Sequence, residues 1–93
     1  MLQQGYRGAH TFTDPHHPSK ATQGVTVKPM SYVPVICRVS APEILTANPD
    51  GFWYRLGGPW HGRYYAVANT FWNGDVPGHK PYSHDTDYSV PEC

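Results

Sequence analysis

Residues 49–75, PDGFWYRLGGPWHGRYYAVANTFWNGD, constrain this chain more than any other stretch. They hold eight of its thirteen aromatic residues, including all three Trp. Residues 51–56 alternate as a strand does, with Phe52, Tyr54 and Leu56 on one face and Trp53 and Arg55 on the other. Gly57, Gly58 and Pro59 open a connection that Gly62 closes, and residues 63–68 supply the antiparallel partner. Residues 69–74 then turn back sharply. The pattern predicts an aromatic-rich hairpin at the centre of a small all-β domain.

The flanking segments read the same way. Residues 32–40 form the clearest strand, with Val33, Val35, Cys37 and Val39 on one face and Tyr32, Pro34, Ile36 and Arg38 on the other. Pro34 cannot donate to a ladder, so it implies an edge or a bulge. Residues 10–14 predict a short strand with Phe12 inward, and Asp14-Pro15-His16-His17-Pro18 a turn. Val25 and Val27 predict another short strand that Pro29 ends. Residues 41–50 form a loop in which Ile44 and Leu45 tuck under the domain. Residues 76–87 are irregular, and residues 88–93 form a last extended piece. No helix longer than one turn is expected. The Gln- and Gly-rich residues 1–9 read as an N-terminal arm that packs on a neighbouring chain, and residues 10–93 as the domain.

Ninety-three residues make one domain with a small core, and 15% charged residues suit a loop-rich β protein. Seven basic and seven acidic residues cancel, and the Lys and Arg are scattered singly. That excludes the basic patch of a nucleic-acid binder and the charge an anionic membrane attracts. No apolar run approaches the roughly 20 residues of a membrane span. The two cysteines, Cys37 and Cys93, are either bridged or free. The bridge is favoured, because closing that loop contributes about 4 kcal/mol to a small domain. A bridge points to an oxidising, extracellular setting. The N-terminus lacks the apolar core of a signal peptide, so the expected routes are a processed start or release inside a virus particle.

Several short strands, a Gly-rich distal hairpin and a tight corner before the final segment resemble an SH3-like β-barrel. Cys37-Arg38-Val39, PDGFWYRLGG, the ANTFWNGD corner and the terminal HDTDYSVPEC together resemble small actinobacterial secreted proteins with bacterial SH3-like domains. The resemblance runs from about Phe12 to Cys93. It implies an SH3-like barrel, an oxidised Cys37–Cys93 pair and an extracellular setting, and no activity. Met1 directly ahead of the arm keeps a phage of the same hosts in view.

No reaction is legible. His79, His84, Asp85 and Asp87 offer nitrogen and oxygen ligands, but without metal-site spacing they read as a solvated turn. Ser83, His84 and Asp85 are only sequence neighbours, no G-x-S-x-G turn is present, and two Glu do not make a glycosidase. The chain therefore reads as non-enzymatic, without metal or cofactor. The aromatics Trp53, Trp60, Trp72, Tyr64, Tyr65 and Phe71 cannot all point inward, since strand neighbours alternate faces. Trp60 at the hairpin tip is the favoured exposed anchor, against the alternative of a lid on the barrel end. The function expected is a structural or assembly subunit on an extracellular particle or phage virion, held to partner chains by the arm and these aromatics. The alternative is a secreted module that binds cell-wall glycan or peptide in a groove of Trp53, Tyr65 or Trp72.

Overall fold

The computed structural model describes residues 2–5, 8–17, 21–41, 51–71, 86, 87 and 89–93. Four strands, β1 (Leu2–Gln4), β2 (Tyr32–Ser40), β3 (Phe52–Leu56) and β4 (Tyr64–Val67), form one antiparallel sheet in the order β1-β2-β3-β4. Among the described residues there is no α-helix, only two one-turn 3₁₀ segments, Gly58–Trp60 and Ala68–Thr70. The fold is all-β with one disulfide, Cys37–Cys93. The far ends of the sheet meet at a single residue pair, Gly5 with Phe71, so the sheet is not closed by a continuous ladder among these residues.

The N-terminal segment is more than a tail. Leu2–Gln4 pairs with the chain's own β2, Leu2 opposite Pro34 and Gln4 opposite Tyr32. It is an edge strand of the sheet. The reason is side-chain chemistry: Gln3 is fully buried and its amide Nε2–H donates to Asp87 at 2.9 Å.

β2 keeps its predicted alternation only halfway. Val33 and Val35 enter the main core, but the register with β3 shifts between Val35 and Cys37. The bulge leaves two residues opposite one and turns the strand. Val39 consequently packs with the second core cluster on the other side, not with Val33 and Val35.

The two clusters flank the sheet. The larger gathers Val27, Val33, Val35, Tyr54, Leu56, Trp60, Ala66, Ala68, Phe71 and Val90. The smaller is Ala41, Trp53 and Val67, covered by Phe12, Val39 and Tyr65. β3 supplies both, Tyr54 and Leu56 to one and Trp53 to the other, as its alternation predicts. Phe12 meets Trp53 edge-on at 6.0 Å and is held by reciprocal backbone bonds with Tyr65.

Val25 and Val27 do not make a strand. Single pairs, Ala9 with Val27 and Phe12 with Gln23, replace it. Val27 is buried, but Val25 is 65% exposed. Its carbonyl, not its side chain, serves the interior by accepting from Thr11 Oγ1 and Trp60 Nε1. The turn after Asp14 forms as expected, with Asp14 Oδ1 accepting the His16 backbone N–H at 2.9 Å.

The C-terminal residues lie along β2. Arg38 N–H donates to Pro91 O and Cys93 N–H to Arg38 O, a parallel contact in an otherwise antiparallel sheet. The Arg38 guanidinium sits 4.9 Å from the Phe52 ring centre and donates to Val90 O and Glu92. Ile44, Leu45, Trp72, His79, His84 and Asp85 lie outside the described residues.

Candidate binding surface

The described aromatics singled out from the sequence divide between the two clusters, Trp60 and Tyr64 in the larger, Trp53 and Tyr65 in the smaller. Trp60 is buried, at 7% exposure, inside the main core. Its indole N–H donates to Val25 O at 2.7 Å. The expectation of an exposed anchor at the hairpin tip is therefore corrected to the lid alternative. The turn explains the direction. Gly58 is left-handed at φ 55°, and a Cβ there would stand 2.9 Å from Pro34 Cγ. Only glycine allows the chain to pass this close to β2 and carry Trp60 inward.

Trp53 is fully buried and donates its Nε1–H to Ala41 O at 3.1 Å. It does not line an open groove, so of the residues expected there Trp53 is a core residue instead. Tyr64 and Tyr65 are half-buried and point to opposite sides, Tyr64 against the main core and Tyr65 against the smaller cluster. The Tyr64 ring lies so close to Gly24 that a Cβ there would sit 2.6 Å from it. Trp72 falls outside the described residues. The aromatic surplus is spent largely on packing.

The exposed apolar surface lies elsewhere. Leu2, Met30, Tyr32 and Ile36 are 57%, 53%, 62% and 46% exposed. Leu2, Tyr32 and Ile36 share the outer side of β1 and β2, because Gln3, Val33 and Val35 take the inner side. Pro34 stands opposite Leu2 in register, and the glycines after β3 approach Ile36 and Pro34 from the hairpin side. Alternation alone produces this face: every other residue of a strand that buries Val33 and Val35 must point out.

Met30 sits at the head of β2 in the left-handed region, φ 63°, at the third position of a turn closed by Ser31 N–H to Lys28 O. That position favours glycine. Both backbone groups of Met30 are engaged, its N–H with Gly5 O and its carbonyl with Gln4 Nε2. These bonds to the first strand hold the strained residue in place.

Charge on this molecule is sparse. Asp14, half-exposed, has its carboxyl held below the ordinary range, chiefly by the His16 backbone N–H and further by His17. Of the His and Asp residues considered as ligands, Asp87 alone is described. It is buried with Gln3 and Tyr54 around it. No group of three or more His, Cys, Asp or Glu is placed to hold a metal among the described residues. No helix among them is long and apolar enough to cross a membrane. No family model, no curated protein and no solved structure matches the chain.

Proposed function

We propose that this protein is a non-enzymatic interaction module, an SH3-like barrel serving as a structural or assembly subunit docked on a larger extracellular particle such as a phage virion. The observation that carries the reading is the outer side of β1 and β2. Leu2, Tyr32 and Ile36 are each about half exposed or more, on a rigid sheet rather than on a loop. Apolar residues grouped on a rigid face suit a protein–protein contact. The barrel reading is supported by the sequential strand order and by the Gly5–Phe71 pair, which draws the sheet's ends together. The disulfide supports an oxidising, extracellular setting.

The test uses the full chain and a Tyr32→Ser/Ile36→Ser double variant. Each is examined by light scattering and native mass spectrometry, alone and mixed with virions grown on an actinobacterial host. Wild type is expected to associate with the particle and the variant to lose at least about tenfold in affinity, since two buried apolar anchors are removed. A wild-type chain that stays monomeric in both settings would overturn the proposal.

A further inference from the structure

The docking face includes Leu2, and Leu2 belongs to a strand of only three residues. What fixes that strand lies at the other end of the chain. Gln3 is fully buried, and its Nε2–H donates to Asp87 Oδ2 at 2.9 Å across 84 positions of sequence. Asp87, 2% exposed, also accepts from the Ser89 backbone N–H at 2.9 Å and from Ser89 Oγ. Its own backbone N–H donates to the phenol oxygen of Tyr54, at the centre of β3.

Among the described residues, three donors converge on the Asp87 carboxyl. That arrangement fits a carboxylate, which only accepts. A proton on the group places a donor where donors already meet and removes the charge that strengthens each bond. Gln3 has no reserve. Its Oε1 is buried and makes no hydrogen bond among the described residues. Once the Asp87 bond is lost the whole amide is buried and unsatisfied, and it gains by moving to water. Gln3 leaves only if β1 leaves with it.

We propose that the Gln3–Asp87 pair is a proton-operated latch that holds β1 on the sheet above the carboxylate range and frees it in acid. The titratable group facing Asp87 from β3 is Tyr54. From β1 the facing group is Gln3 and from the tail Ser89, and neither titrates in this range. The latch holds while Asp87 is a carboxylate and is lost as the pH falls and the group takes up its proton. Freeing β1 takes Leu2 off the outer face, so acid would dismantle the docking surface. That consequence rests on the function proposed above; the latch itself stands on the buried pair alone.

Amide hydrogen exchange on the full chain between pH 3 and pH 7, corrected for intrinsic rates, reads the latch without any partner. The reporters are the Gly5 amide, bonded to Ser31 O, and the Met30 amide, bonded to Gly5 O. The reference is the Tyr65 amide, bonded to Phe12 O. In wild type the Gly5 and Met30 protection is expected to fall about tenfold or more on acidification, the worth of one hydrogen bond to a charged group, before Tyr65 changes. In Asp87→Asn it is expected to be low at neutral pH and to change no further in acid. Gln3→Met gives the same flat profile with the carboxyl intact, and serves if the Asn variant does not fold. Joint loss of all three reporters in wild type would overturn the latch. So would an unchanged acid dependence in the Asn or Met variant.

Discussion

Trp60 shows how one side chain can be placed by an atom far away in sequence. Its indole reaches the Val25 carbonyl, 35 residues earlier, and its ring completes the main cluster beside Val27 and Leu56. Trp60→Phe keeps most of the ring and loses the N–H donor. Val25 O retains Thr11 Oγ1, so the carbonyl is not orphaned. The expected cost is about 1 kcal/mol, against about 3–5 kcal/mol for Trp60→Ala, which opens a cavity. Urea unfolding of the two variants checks this; equal and negligible losses would mean that Trp60 does not pack as described. Trp53 and Gln3 teach the same lesson. The sequence reading places Trp60 outward and treats Gln3 as part of an arm that packs on a neighbouring chain. Neither the Val25 carbonyl nor Asp87 announces itself as a partner in a linear reading.

At the scale of elements, alternation reads well where one partner sets the strand. β3 and β4 fall where the Phe52-Trp53-Tyr54 and Tyr64-Tyr65 patterns put them, and β3 divides its side chains between two faces as expected. β2 is legible as a strand but not as a single face. Pro34 signals an interruption, yet the register shift falls beyond it, between Val35 and Cys37, where β3, the tail and the disulfide all compete for the strand. The tail owes its position to that disulfide. The bridge spans 56 positions, and in the chain-entropy model a loop of that length contributes about 4 kcal/mol. Reduction, or Cys37→Ser with Cys93→Ser, is expected to lower unfolding stability by about that much. A midpoint in urea that does not move on reduction would contradict the assignment.

For the whole molecule, the sheet is shared by two clusters that flank it. Trp53 reports on the smaller and Trp60 on the larger, and β3 runs through both. Clusters built from the same strands are expected to unfold together. Trp60→Phe and Trp53→Phe variants, followed by fluorescence and by circular dichroism, should each give coincident transitions. Separate midpoints for the two optical probes would show that the smaller cluster opens on its own. All-β class, the central hairpin and the bridged cysteines were open to sequence reasoning because each is carried by local alternation or by residue count. The proposed binding surface was not. It is defined by what β2 leaves outside after Val33 and Val35 are buried, and that depends on β1 pairing from the opposite end of the chain.

The pairing of the tail alongside β2 has a consequence for colloidal behaviour. β2 is the longest strand and rich in β-branched residues, the composition that recruits other chains into cross-β stacks. One of its margins is occupied by β3 from Val35 to Ser40. β1 covers Tyr32 to Pro34, and the residues around Glu92 engage Arg38. Backbone groups that would otherwise template fibril growth are thereby already engaged over most of the strand. The covalent tie at Cys93 holds the tail's part of that cover in place in an oxidising medium, and reduction is expected to loosen it at Arg38 while β1 and β3 stay paired.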